Sequence, residues 1–516
     1  MIKKPFRLFV TILAIVLLTT GLVTGGSCAA ASNVSDNPDY ARLDSFIQSQ
    51  MEDCRIPGFS LGIIRDGGVL YLKGYGKADE TGRGITPQTP FLIGSVSKTF
   101  TALAVMQLVE AGKVALDQTV KTYLPSFGLA DRDIAATITV RQLLNHTSGI
   151  PPESEYRAAT LRGDDETISE LVDKFGYIQP DSTPGTRFAY GNANYIILGK
   201  LVQQVSGLSY EEYIQKNIFD PLEMRHSYTS AQEALKNGLA AGYHPIFGIP
   251  KVSGLPYRKD FLPAYSIISC AEDMTHYMLA MQSGGNYKGT QVLSNESFNQ
   301  MMSASAKISQ WESYGLGWYV TSGSFYHGGE LPDYQAKVKL LPESGLGVVL
   351  IYNTSSSTLG TLLNVGYRDR IETGIINVLY DVDPMDQPGQ NPLNLNSYPT
   401  SLSYGLLQAL AVVAVLLVAL CGWKLRTLKK RLAKSGAAFL RIMLITVLVH
   451  IVAPLMLLFG IPLSARVSWT HVLFYVPDAG WFALFLSLTL LVIGFLKGFI
   501  IIKHYIKMFR PTDHAA

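Results

Sequence analysis

Three long apolar runs crowd the last fifth of this chain, at residues 406–423, 437–461 and 481–502. Each approaches or exceeds the roughly 20 residues a helix needs to cross the hydrocarbon core of a bilayer. A helix that is apolar all round must be buried, either in lipid or inside a large protein. The intervening charges favour lipid. The loop "KLRTLKKRLAK" after the first run carries Lys424, Arg426, Lys429, Lys430, Arg431 and Lys434, whereas the link between the second and third runs carries only Arg466 among its Lys and Arg positions. By the positive-inside rule the basic loop 424–434 is cytoplasmic and the next link lies outside. The tail with Lys503, Lys507 and Arg510 then returns inside, and everything between the N-terminal segment and residue 406 is expected outside.

The other end of the chain agrees. Lys3, Lys4 and Arg7 precede the run "LFVTILAIVLL", and small residues follow in "GGSCAAAS". That is the pattern of a secretory signal over residues 1–31, cleaved after Ala31. Retention as an anchor and lipidation at Cys28 are the other fates, although Gly25 stands where a lipobox has a leucine-like residue. The net charge of +3 conceals an uneven distribution, because residues 401–516 hold twelve Lys and Arg against two Asp and Glu. The central part is therefore acidic, which argues against nucleic acid as a partner. Of the four cysteines, Cys28 belongs to the signal and Cys421 to an apolar run. Only Cys54 and Cys270 remain to pair, so no disulfide framework is expected. No C-x-x-C, no H-E-x-x-H and no histidine cluster occurs, so neither a metal nor another cofactor is expected.

The Pro- and Asn-rich stretch "DPMDQPGQNPLNLNSYP" reads as a linker, residues 383–401, leaving a folded domain at 38–382 and a membrane bundle at 402–510. Within the domain, the helix-like "YARLDSFIQSQMEDC" leads to two strand-like runs, "GFSLGIIRDG" and "VLYLKGYGKA", joined by the turn signal Asp66-Gly67-Gly68. A mostly helical middle, 98–241, precedes the strand-like "GLGWYVT", "SFYHG", "QAKVKLLP" and "LGVVLIYN" and a last helix, 359–379. Strands from both ends with helices between them imply an α/β domain. Its antiparallel sheet is formed from both ends of the domain, flanked by helices, with a helical region inserted.

Three short motifs carry candidate chemistry. In "LIGSVSKTF" Ser95 follows Gly94 at a helix start, where unpaired N–H groups and the dipole favour negative charge. Lys98 lies one turn on, so its amine projects onto the same face as the Ser95 hydroxyl. A neutral lysine there can take the serine proton, and burial would lower its pKa toward neutrality. This is the only S-x-x-K in the chain, but a serine at that place also serves as an ordinary helix cap. In "YGNANY", Tyr190 offers a phenol that can relay a proton, and Asn192 an amide that can bind both the lysine and a substrate carbonyl; a plain turn before a helix reads the same way. In "FYHGGELPDY", His327-Gly328-Gly329 interrupts strand-like sequence, and the glycines would let a substrate backbone lie close along the strand. A bulge is the plainer reading.

Together, in this order and separation, the motifs resemble those of the serine β-lactamase and penicillin-binding-protein superfamily. Within it they look most like the class C-related esterases, D-aminopeptidases and low-molecular-weight penicillin-binding proteins. The resemblance covers most of residues 40–380 and includes "RQLLNHTSGIP", "FDPLEM" and "SCAEDMTHYM". Carried over by position, it implies that Ser95 is acylated, Lys98 is its general base and Tyr190 shuttles the proton to the leaving group. Asn192 would support Lys98 and the substrate amide. The backbone N–H groups of Ser95 and Glu330, beside Gly329, would form the oxyanion hole. Lys98 and Tyr190 are expected to titrate as a coupled pair. His146, in the "NHTSG" phrase, is expected to be structural, because no G-x-S-x-G elbow accompanies it.

One departure bears on substrate. Class C β-lactamases and D,D-carboxypeptidases have Lys-Thr-Gly on the strand, where His327 stands here. An ordinary imidazole is mostly neutral at pH 7, so the fixed cation that binds a substrate carboxylate is missing. Small D-amino-acid-containing peptides, amides or esters become the expected substrates. A β-lactamase, or a β-lactam-binding sensor that deacylates slowly, is the alternative. A catalytic domain followed by three membrane helices is also similar to the colibactin-maturation D-amino-acid peptidases, although Asn192 stands where those have a serine.

Overall fold

The computed structural model describes residues 34–386 except 36–37, 153, 159–166, 247 and 356–366, and residues 436–465 and 477–508 with isolated positions between 412 and 472. Among these residues eight strands form one sheet. They are β1 (Gly58–Arg65), β2 (Gly68–Gly76), β3 (Ala306–Lys307), β4 (Ser313–Tyr314), β5 (Tyr319–Val320), β6 (Phe325–Leu331), β7 (Tyr334–Leu341) and β8 (Leu346–Tyr352). Their order is β2-β1-β8-β7-β6-β5-β4-β3, and every neighbouring pair is antiparallel. The pairing of β1 with β8 joins the two ends of the domain, with Phe59 opposite Tyr352 and Arg65 opposite Leu346. Asp66 (φ 48) and Gly67 (φ 82) both take left-handed backbone, the conformation that a two-residue hairpin turn matched to strand twist requires.

Alternation along the strands divides the core in two. Phe59, Leu61 and Ile63 of β1 and Leu346, Val348 and Leu350 of β8 share one face with α1 (Tyr40–Cys54). The opposite face offers Ile64, Val349, Ile351, Val338 and Leu340 to the inserted helical region. That region contains α2 (Ser97–Glu110), α3 (Asn192–Ser206) and α4 (Ala271–Gln282). The chain returns to the first face in α5 (Tyr367–Leu379), whose Ile371 and Ile375 pack there. Lys337 and Lys339, on that face of β7, both pair with the buried Glu372 of α5. The α/β architecture read from the sequence is therefore present. A short hairpin, Tyr243–Ile246 with Ile249–Val252, interrupts the helical region between α3 and α4. Cys54 closes α1 and Cys270 caps α4, both buried and not joined to each other.

The run of burial in α2 matters most for the site. Every residue from Ser97 to Met106 is buried, so this helix is the axle of the larger core rather than an amphipathic surface helix. Its N-terminus is consequently held on all sides.

Two helical stretches, Phe439–Gly460 and Gly480–Lys503, are long and apolar enough to cross a membrane, with mean hydropathies of 2.7 and 2.4. Two such helices, rather than the expected three, are therefore found among the described residues. The run at 406–423 lies outside those residues apart from isolated positions, as do the expected signal 1–31, most of the linker 383–401 and the basic loop 424–434.

Candidate active site

Ser95 sits in a single 3₁₀ turn, Gly94–Val96, that leads directly into α2. Gly94 has φ 55, and a Cβ built there would lie 2.7 Å from the backbone N of Glu330. A Cβ on Gly329 would lie 1.9 Å from the Ile93 carbonyl oxygen and 3.0 Å from the Ser95 nitrogen. Two glycines thus let strand β6 press against the helix start, which brings the backbone nitrogens of Ser95 and Glu330 close together. The Glu330 side chain turns outward and accepts a hydrogen bond from Gln335 across the hairpin at 3.1 Å.

Lys98 is fully buried one turn along. Its Nζ lies 2.9 Å from Ser95 Oγ, 2.7 Å from Asn192 Oδ1 and 2.9 Å from the Ala264 carbonyl. Two of these partners can only accept. A neutral amine has two N–H groups and one lone pair, so donating to Asn192 and Ala264 leaves the lone pair facing the Ser95 hydroxyl. Burial draws the Lys98 pKa down to about 7, while the negative charge of Glu155 works against that fall. Near neutral pH the amine is therefore available as a base.

Asn192 opens α3 behind Gly191. Its Nδ2 donates to Glu155 Oε1 at 2.9 Å, so the amide bridges a lysine and a buried carboxyl. Burial pushes the Glu155 carboxyl up to about 7, opposed by hydrogen bonds from its own backbone and Asn192 and by the charge on Lys98.

Tyr190 is half-buried, with its ring centroid 4.8 Å from Lys98 Nζ. Burial raises its phenol well above the usual range, Tyr319 pushes the same way, and a hydrogen bond with Ser95 opposes both. It is thus a neutral hydroxyl that can pass a proton rather than a standing base. His146 stacks obliquely behind it at 4.4 Å. The His146 Nδ1 accepts from the Gly191 N–H at 3.3 Å and sits 3.1 Å from Asn194 Nδ2, and burial holds the imidazole neutral. This histidine shapes the Tyr190 turn.

His327 faces inward from β6 and is 1% exposed. Its Nε2 lies 3.0 Å from the Tyr314 hydroxyl and its Nδ1 2.8 Å from the Gly328 carbonyl. A carbonyl only accepts, so Nδ1 carries the proton and Nε2 receives the phenol. The ring is embedded among Tyr314, Tyr319 and Tyr190.

Of the residues singled out in the sequence, Ser95, Lys98, Tyr190 and Asn192 converge, and Glu330 reaches them through its backbone across the contact at Gly329. His327 borders the group from within the aromatic cluster. Sequence reasoning missed Glu155, the Ala264 carbonyl, Tyr314 and Tyr319. A glutamate within "PPESEY" has the look of a solvated turn, and a backbone carbonyl leaves no mark in a sequence. Among the described residues no group of three or more His, Cys, Asp or Glu is arranged to hold a metal ion.

The chain is similar to several known proteins. Residues 43–367 match the family model described as Beta-lactamase. Protein flp of Staphylococcus aureus strain MW2 is 28% identical over 349 residues, 66% of this chain and 67% of the relative. Penicillin-binding protein 4 of Amycolatopsis lactamdurans is 29% identical over 339 residues, 62% of this chain and 87% of that one. The octameric penicillin-binding protein homologue from Pyrococcus abyssi superposes with a TM-score of 0.58 at 29% identity, covering 68% of this chain and 79% of that structure.

Proposed function

This chain belongs to the beta-lactamase family of serine hydrolases and penicillin-binding proteins, and on that premise we propose that it is a membrane-anchored, extracytoplasmic hydrolase that works through an acyl-enzyme on Ser95. The observation that carries the reading is the disposition of Lys98, whose Nζ lies within hydrogen-bond distance of Ser95 Oγ and of two groups that only accept, Asn192 Oδ1 and the Ala264 carbonyl, so that in the neutral amine the lone pair falls to the serine. In this mechanism Ser95 Oγ attacks the substrate carbonyl carbon while its proton moves to Lys98 Nζ. The Ser95 and Glu330 N–H groups receive the developing oxyanion. Tyr190 passes the proton on to the leaving amine or alkoxide as the C–N or C–O bond breaks. Water, activated by the same Lys98–Tyr190 pair, then hydrolyses the ester and restores the serine.

The substrate class proposed is D-amino-acid-containing amides, peptides or esters without a required carboxylate beside the scissile bond. Its support is His327, an inward-facing imidazole held by Tyr314 and its own strand, where a carboxylate reader would need a fixed cation. A fluorophosphonate probe on the full-length protein in detergent should label Ser95, and Ser95→Ala should abolish labelling without unfolding. A panel of nitrocefin, a D-Ala-D-Ala peptide, D-aminoacyl amides, N-acyl-D-Asn amides and simple esters should favour the uncharged amides and esters. Undiminished turnover by Ser95→Ala would end the proposal.

A further inference from the structure

We propose that Glu155 is a positioning residue of this site: it holds Asn192 against Lys98 and supplies the negative charge that offsets the ammonium formed when Lys98 takes the Ser95 proton. This rests on the acyl-enzyme reading above and assigns its charge balance.

The geometry is a chain of three groups. Lys98 Nζ meets Asn192 Oδ1 at 2.7 Å, and Asn192 Nδ2 meets Glu155 Oε1 at 2.9 Å. The two neighbours fix the amide, with its oxygen toward the amine and its nitrogen toward the carboxyl. Glu155 is 1% exposed, and its carboxyl takes hydrogen bonds from Asn192 and from the backbone of Glu155 and Ala193. An amide acceptor at this place would orient Asn192 equally well without the cost of burying an ionisable group. The carboxyl therefore does something that an amide would not, and charge is the difference between them.

Acyl transfer creates the need for that charge. Lys98 is fully buried, so the ammonium produced when the proton leaves Ser95 has no water around it. Its other ionisable neighbours come from each element packed against it. Tyr190 precedes α3 and Tyr195 lies on it, with ring centroids 4.8 and 5.8 Å from Nζ. His146 comes from the loop behind Tyr190, and Tyr314, Tyr319 and His327 come from the strands beyond. Burial keeps the Tyr190, Tyr195 and Tyr314 phenols protonated and His146 neutral. Among the described residues Glu155 is the carboxyl whose charge acts on Lys98. The surrounding aromatic shell offers no anion of its own, so the counter-charge comes from beneath Asn192.

The test is the pH profile of kcat/KM on a neutral ester, measured on the full-length protein with active sites counted by fluorophosphonate burst. Glu155→Gln keeps an acceptor for Asn192 and removes the charge. Its acid limb should move about one pH unit lower, as expected for an opposite charge lost near a titrating base. Its plateau should fall roughly tenfold, because the weakened base is a poorer proton acceptor. Glu155→Met, uncharged and apolar, gives a second route should the glutamine variant fail to fold, and its limb should move the same way. Glu155→Asp, which keeps the charge, should leave the limb within a few tenths of a unit while lowering the rate. A limb unmoved in either uncharged variant, with sites fully counted and wild-type turnover dependent on Ser95, overturns this inference alone. Wild-type turnover that survives Ser95→Ala overturns the acyl-enzyme reading and this inference with it.

Discussion

At Lys98, one amine is hydrogen-bonded to a nucleophile, an amide and a backbone carbonyl, and lies under a phenol. Groups that pass one proton between them should fail together. Lys98→Ala and Tyr190→Phe are each expected to cut turnover on a D-aminoacyl amide by about 10³-fold or more, and the double mutant to be little worse than either. Fully additive losses in kcat would show two separate proton paths. Glu155 gives a second prediction, read in stability. Its folded pKa of about 7 exceeds the ordinary 4.5, so the folded state binds this proton more tightly than the unfolded chain does. The resulting stability is fully present below pH ~4.5 and is lost as pH rises toward 7. Above that the buried anion destabilises the fold, and Glu155→Gln should then raise stability at pH 8 by up to about 3 kcal/mol. At pH 4 the change should vanish. A melting temperature at pH 8 no higher than that of the parent would refute the assignment. The two residues also mark the limit of legibility at this scale. Ser95 and Lys98 declare themselves because helical spacing alone puts them on one face. Glu155 lies 37 residues from its partner Asn192, and neither periodicity nor composition announces that contact.

The elements were most legible where strand-like sequence was long. β1, β7 and β8 each run seven or eight residues, long enough for their apolar runs to read as strands, whereas the faces they present emerged only with the packing. The last three strands at one end of the sheet, β3, β4 and β5, have two residues each, too few to display a period. The "GLGWYVT" run was read as a strand, but only Tyr319–Val320 pairs. The hairpin at 243–252 was hidden for another reason, since Pro245 and Pro250 face each other across it and proline usually argues against a paired strand. What no element-level reading supplied is the contact between β6 and the start of α2. That contact is tight enough to be tested by one methyl group. Gly329→Ala would drive a Cβ to within 1.9 Å of the Ile93 carbonyl, so the strand must retreat from Ser95. The expected cost is about 10²–10³-fold in kcat, comparable to losing one oxyanion donor. Fluorophosphonate labelling should slow in parallel. Normal kcat in this variant would mean that the Glu330 N–H does not serve the oxyanion.

For the whole molecule, hydropathy and loop charge were the readable signals, because they depend on composition rather than on remote contacts. The family match ends at residue 367, ahead of both apolar helices, so those helices are an addition to the hydrolase domain rather than part of its core. Little of either is buried within the chain, 17% and 22% of their most apolar windows, as fits helices solvated by lipid. Where they meet, Lys497 Nζ lies 2.8 Å from His450 Nε2, and Gly494 sits so close to His450 that a Cβ there would be 2.8 Å from its backbone oxygen. Small residues and a polar pair at one crossing are what hold helices together where the hydrophobic effect cannot. On the membrane-anchored reading proposed above, six Lys and Arg between residues 424 and 434 against a lone Arg466 in the next link would set the direction of insertion. The hydrolase domain should then lie outside the cytoplasm. Protease added to intact spheroplasts should release the domain and leave a membrane-bound fragment containing residues 424–434. Alkaline phosphatase fused after Lys430 should be inactive, and the same reporter fused after Trp469 should be active. The reverse pair of activities would place the catalytic domain in the cytoplasm and overturn the extracytoplasmic reading.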